Sequence, residues 1–184
     1  MNRLPRGAVK DVVLKQAKVC MLGAFAVGKT SLVSRFVKSL FSEKYHSTIG
    51  VKIDKKVVTL PGVDAGDAPR EVTAILWDLE GEDDLVKVQT TYLRGAAGYL
   101  LVVDGTRPET LETAVVLRRR VEHEVGVLPF VLLLNKYDLE DAWQLDGDML
   151  LGLREASVAT FNASAKSGLN VEEAFDALLG AVMA

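Results

Sequence analysis

One cysteine and two histidines are all the thiol and imidazole chemistry that this chain of 184 residues contains. Cys20 has no partner for an intrachain disulfide and lies inside an apolar run, so it reads as a small buried hydrophobe in a reducing compartment. His46 and His123 are far apart and lack cysteine neighbours, which argues against a zinc site. No apolar stretch approaches the roughly 18 residues that a membrane span needs. The start, "MNRLPRGAVKDVV", has no signal-peptide core, Asn2 excludes N-myristoylation, and the "GAVMA" end offers no cysteine to prenylate. A soluble, cytoplasmic protein with no intrinsic lipid anchor is therefore expected. Positive charge is not in excess either: 22 Lys and Arg against 25 Asp and Glu leave a net charge of -3, which gives no electrostatic reason to bind nucleic acid. The one basic run, Arg118-Arg119-Arg120, faces Glu122 and Glu124 at i,i+4 spacing, the pattern of a solvated helix face.

What the chain does have is an ordinary globular composition, 49% hydrophobic and 26% charged, at a length suited to one domain. Apolar runs alternate with amphipathic stretches. "KVCMLG", "VKIDKKVVTL", "EVTAILWDL", "YLLVVDG", "FVLLLN" and a short "FNASA" read as strands. Helices are expected over 31–40, about 84–94, 108–125, 147–160 and 171–183. The loop "PGVDAGDAPR" joins the second and third strands without a helix, so these two pair antiparallel at one edge. The expectation is a doubly wound α/β fold: a mostly parallel six-stranded sheet, one antiparallel edge strand and about five flanking helices. Residues 1–15 read as a short extension and 16–184 as the domain. In such sheets ligands bind beyond the C-terminal strand ends, and every motif below falls at one of them.

"GAFAVGKT", residues 23–30, matches G-x-x-x-x-G-K-[ST] between a strand and a helix. Gly23 and Gly28 permit close backbone approach, and N–H groups from Ala26 and Val27 through Gly28, Lys29, Thr30 and Ser31 would surround phosphates. Lys29 supplies a point charge to the terminal phosphates, and the Thr30 hydroxyl a hard oxygen ligand for magnesium. "NKYD", residues 135–138, ends a buried strand. A carboxylate at Asp138 accepts from the N1–H and exocyclic amine of guanine, whereas adenine has no matching donor pair. Asn135 is suited to brace the loops, and the Lys136 stem to lie over the base. "SAK" (Ser164, Ala165, Lys166) ends the next strand, where the Ala165 N–H can reach the guanine carbonyl. In "WDLEG", Asp78 would meet magnesium through water, and the Gly81 N–H a terminal phosphate. Thr48, in the polar "EKYHSTIG" loop, is a candidate second hydroxyl ligand for the metal.

These residues resemble the Ras superfamily of small GTPases, its Rab-like branch in particular, over about 18–183. All five nucleotide motifs occur in order, with further likenesses in "TIGV", "YLRGA" and "SAKSGLNVEEAF". The resemblance implies a P-loop NTPase fold, GTP and GDP as ligands with magnesium, and an effector, an exchange factor and an activating protein acting through loops 41–51 and 79–92. By matching position, Phe41 would be the aromatic edge against guanine and Tyr45 the tyrosine that closes over the phosphates. Core packing for Phe41 and a surface position for Tyr45 are the alternatives.

The departures bear on catalysis, for which Lys29, Gly81 and Glu82 are the candidates. Members of that family commonly carry glutamine at the position of Glu82, where it orients the attacking water. Phe25 stands where a small residue is usual, and Glu80 adds acid near a polyanion. The reading is a guanine-nucleotide switch with slow GTP hydrolysis. A GTP-binding interaction module with little turnover is the alternative. A kinase or ATPase on the same loop would leave "NKYD" and "SAK" without a role.

Overall fold

The computed structural model describes residues 15–42, 50–62, 67–79 and 90–184. Six strands form one sheet: β1 (Lys15–Leu22), β2 (Val51–Leu60), β3 (Arg70–Leu79), β4 (Gly98–Asp104), β5 (Phe130–Asn135) and β6 (Ala159–Asn162), in the order β2-β3-β1-β4-β5-β6. Only the β2–β3 pair is antiparallel; the other pairs are parallel. β1 lies between β3 and β4, where the chain crosses from one side of the sheet to the other, so it marks the topological switch point where such sheets bind ligands.

The helices are α1 (Lys29–Lys38), α2 (Glu109–Val125), α3 (Gly147–Ala156) and α4 (Val171–Val182), with short 3-10 turns at Thr90–Tyr92 and Tyr137–Ala142. Unbroken apolar runs in β4 and β5 reflect burial of both sheet faces. Met21, Leu100, Val102, Val131 and Leu133 pack toward α1 and α4. Their sequence neighbours Cys20, Leu101, Val103, Leu132 and Leu134 pack into the opposite core, with residues of α2 and α3. The Phe36 and Phe175 rings stack 3.8 Å apart, joining α1 to α4. That fixes the helix behind the 23–30 loop.

The sequence expectations differ from the structure in several places. The helix expected over 31–40 spans Lys29–Lys38, stopped where Ser39 turns left-handed at φ 54° and its N–H returns to the Arg35 carbonyl. The helix expected over 147–160 stops at Ala156. There the Ser157 N–H and hydroxyl both turn back to the Arg154 carbonyl, and the Val158 N–H joins the Phe130 carbonyl at 2.8 Å. Strand pairing of the β-branched Val158–Thr160 stretch beside β5 wins over helical continuation. As a result β6 begins at Ala159 rather than at Phe161. The helix expected over about 84–94 lies largely outside the described residues, and its described end is the turn at Thr90–Tyr92. Arg118 meets Glu122 at 2.6 Å as its spacing suggests, whereas Glu124 lies nearest to His123, at 3.7 Å. No helix among the described residues is long and apolar enough to cross a membrane.

Candidate functional site

The loop from Gly23 to Gly28 leaves the C-terminal end of β1 and turns into α1. Gly23 and Gly28 take φ of 149° and 101°, values that L side chains rarely adopt. A Cβ on Gly23 would sit 2.3 Å from the Val102 carbonyl oxygen, and one on Gly28 2.3 Å from Asn135 Nδ2. Both glycines are therefore demanded by conformation and by space.

Side chains hold the loop's carbonyls from several directions. Lys29, buried at the start of α1, donates to Gly23 O and Ala24 O, both at 2.9 Å. Asn135 Nδ2 donates to Val27 O at 2.8 Å, and Asn135 Oδ1 accepts the Ala165 N–H at 3.2 Å. One buried amide thus bridges the 23–30 loop and the 164–166 loop, which are far apart in sequence. Ser164 Oγ donates to Asp138 Oδ1 at 2.6 Å and also accepts the Ser167 N–H at 3.0 Å. The hydroxyl fixes the carboxylate's orientation.

The Thr30 hydroxyl donates to Asp78 Oδ2 at 2.5 Å, and Asp78 is wholly buried at the end of β3. A hydroxyl and a carboxylate side by side are hard oxygen donors. With phosphate oxygens they make the kind of set that suits magnesium.

At the end of β4, Asp104 has no exposed surface and receives four donors. Lys136 Nζ and Arg107 Nε reach its Oδ2 at 2.6 and 3.1 Å, and the Thr106 N–H and hydroxyl reach Oδ1 at 3.0 and 2.7 Å. Burial alone would raise the Asp104 pKa. The bonds from Lys136 and Thr106 outweigh burial and hold the carboxyl below its ordinary range. Lys136 adopts a left-handed φ of 68°.

This clustering of a phosphate-loop motif with two base-loop motifs at one sheet edge narrows the family, and sequence comparison decides it. The profile of the Ras family matches residues 18–184. The chain belongs to the Ras family. It is 31% identical over 166 residues to the Ras-related protein Rab-7b of Mus musculus, covering 88% of this chain and 79% of that one. It is 31% identical over 163 residues to Rab-13 of Canis lupus familiaris, covering 88% and 77%. It is 32% identical over 166 residues to Rab-32A of Dictyostelium discoideum, covering 85% and 73%. This Ras-family chain is accordingly a Rab-like, GTP-binding small GTPase.

The geometry of the Ras-family chain brings Gly23, Ala26, Val27, Gly28, Lys29, Thr30, Asp78, Asn135, Lys136, Asp138, Ser164 and Ala165 to the C-terminal edge of the sheet. Ser31 lies in the first turn of α1. The Lys166 carbonyl accepts from Arg35 Nη2. Phe41 packs, half-buried, against the core between the sheet and helices α1 and α4. Tyr45, Thr48, Glu80, Gly81 and Glu82 lie outside the described residues.

Three residues of the site escaped the sequence reading. Arg35 of α1 donates through Nε to the Ala165 carbonyl at 2.8 Å. Asp104 gathers the cations just described. Arg107 Nη2 reaches the Phe25 carbonyl at 2.7 Å. For the last two a signal existed: "DGTR" follows a buried parallel strand, at the end where ligands bind. For Arg35 there was none.

Proposed function

We propose that the chain is a guanine-nucleotide switch that binds GTP and GDP with magnesium and hydrolyses GTP slowly in the absence of a partner. The observation that carries this reading is the Asn135 amide, which ties the phosphate loop to the 164–166 loop while Ser164 aims Asp138. Base recognition and phosphate binding thereby share one rigid frame. Asp138 accepts from the guanine N1–H and amine, and Lys29 and the loop N–H groups take the phosphates. Thr30, Thr48 and Asp78 would hold magnesium, which when bound neutralises charge on the phosphate oxygens. Lys29 stabilises the same developing charge, and the Gly81 N–H contacts the terminal phosphate. Loops 41–51 and 79–92 respond to that phosphate and carry effector, exchange-factor and activating-protein contacts.

Slow turnover follows from two side chains. Phosphoryl transfer depends mainly on positioning and on charge stabilisation. A glutamine amide both donates and accepts, so it can orient water and contact a phosphate oxygen together. An ionised Glu82 only accepts, and it adds negative charge beside a transition state already rich in it. Phe25 fills space near the terminal phosphate that an inserted arginine would need. The deciding experiment is single-turnover GTP hydrolysis by the parent, by Glu82→Gln and by Glu82→Gln with Phe25→Gly, without any partner. The double variant is expected to be faster than the parent. A parent as fast as the double variant would make Phe25 and Glu82 parts of a working site. No turnover in any variant, with tight GTP binding, would favour a binding module.

A further inference from the structure

We propose that Arg107 is a positioning residue for the phosphate loop, orienting the Ala26 N–H toward the phosphates of a bound guanine nucleotide by holding the Phe25 carbonyl from behind. The inference rests on reading residues 23–30 as the phosphate site.

Arg107 Nη2 donates to Phe25 O at 2.7 Å while its Nε donates to Asp104 Oδ2 at 3.1 Å. The guanidinium is planar, so two bonds from two of its nitrogens fix its plane as well as its position. Asp104 is itself immobilised, being fully buried and bound by Thr106 and Lys136. A trans peptide sets its C=O and N–H on opposite sides, and no cis bond occurs among the described residues. Drawing the Phe25 oxygen toward Arg107 therefore turns the Ala26 N–H to the side away from it. Asn135 does the same one step on: with Val27 O held at 2.8 Å, the Gly28 N–H faces away from the amide. With Gly23 O and Ala24 O held by Lys29, four carbonyls of the loop are gripped by side chains, which turns the N–H of each following residue away from its grip.

Ala26 provides a second, independent sign. Its φ of 59° is left-handed, a conformation that costs a residue with a Cβ and persists where surrounding bonds over-determine it. The peptide held by Arg107 is the one that enters Ala26. Lysine at 107 would keep the charge beside Asp104, but one ammonium does not reproduce a fork that spans a carboxylate and a carbonyl.

The test uses the full chain loaded with GDP, comparing the parent with Arg107→Ala and Arg107→Lys. Two quantities are read: release of fluorescently labelled GDP, and the phosphorus NMR spectrum of bound GDP. Both variants are expected to release GDP about tenfold faster, the loss typical of one charge-assisted hydrogen bond. The β-phosphate resonance should shift in both, because the shift reports loop N–H geometry and not overall stability. Preference for GTP over ATP should be unchanged, since Asp138 is untouched. Arg107→Lys retains the partner of a buried carboxylate and so keeps the test open if the alanine variant does not fold. Parental release with an unmoved β-phosphate resonance in the lysine variant would overturn the proposal. A parent that binds no GDP would overturn the underlying site reading, and this inference with it.

Discussion

Replacing Asn135 by alanine is the perturbation whose size follows most directly from the geometry. The side chain is 2% exposed and makes two bonds, to Val27 O at 2.8 Å and from the Ala165 N–H at 3.2 Å. Truncation leaves a carbonyl and an N–H without their partner in a region where Val27 and Ala165 are buried. A buried group deprived of its partner costs about 1–3 kcal/mol. The first bond is short and the second lies at the long end of the ordinary range, so about 2 and about 1 kcal/mol are reasonable shares. The sum, about 3 kcal/mol, corresponds to GDP release roughly a hundredfold faster if the loss falls on the nucleotide-bound state. For a chain of this size it corresponds to a thermal midpoint lower by about 6–12 °C. Release of labelled GDP and thermal unfolding of the loaded protein measure the two. Asn135→Asp is the control of shape: it keeps an acceptor for Ala165 but sets an oxygen against the Val27 carbonyl, so it should fare no better than alanine. Parental release together with an unshifted midpoint in Asn135→Ala would refute the bracing argument.

Other perturbations probe separate parts of the frame. Gly28→Ala should abolish tight nucleotide binding, through a φ of 101° and a Cβ 2.3 Å from Asn135 Nδ2. Adding Asn135→Ala clears the contact but not the dihedral, so recovery of binding in the double variant would show the strain argument to be wrong. Asp138→Ala should weaken GDP binding well over tenfold, by loss of a paired acceptor; competition against ATP checks it, and an unchanged guanine preference would refute it. Asp104 has a folded pKa below its ordinary value of 3.8. Its carboxylate therefore stabilises the fold fully above that pH, and the contribution fades as pH falls through the folded value. Denaturant unfolding should show the parent's advantage over Asp104→Asn shrinking in that acid range, whereas a constant difference would contradict the assignment.

Much of this was legible because the motifs carry local chemistry at strand ends. The bounds of β2 and β5 could be read from the charge alternation of "VKIDKKVVTL" and the bare apolar run of "FVLLLN". Gly23, Lys29, Thr30, Asn135, Asp138 and Ser164 could be singled out because each belongs to a local loop pattern, and the fold brings them to one sheet edge. The end of α3 was not, because its stop depends on β5 offering the Phe130 carbonyl to Val158. Arg35 was illegible for the same reason, enlarged, and for Arg107 the sequence offers its place after β4 but not its partner. Their partners are backbone carbonyls 130 and 82 residues away, and no spacing rule encodes a bond to a carbonyl. For Lys136 the sequence suggests a stem over the base, whereas the pairing of its ammonium with Asp104 is visible only in the folded chain.

The unequal attachment of the two base-loop residues has a consequence for how this scaffold can diverge. Asn135 is entangled with Val27, Ala165 and the space over Gly28, so any change there must be answered at several positions together. Asp138 is steadied by one serine hydroxyl. On the proposed base-recognition role of Asp138, its identity can be exchanged with little disturbance to the phosphate loop, leaving ligand choice a replaceable part on a frame that tolerates no piecemeal revision.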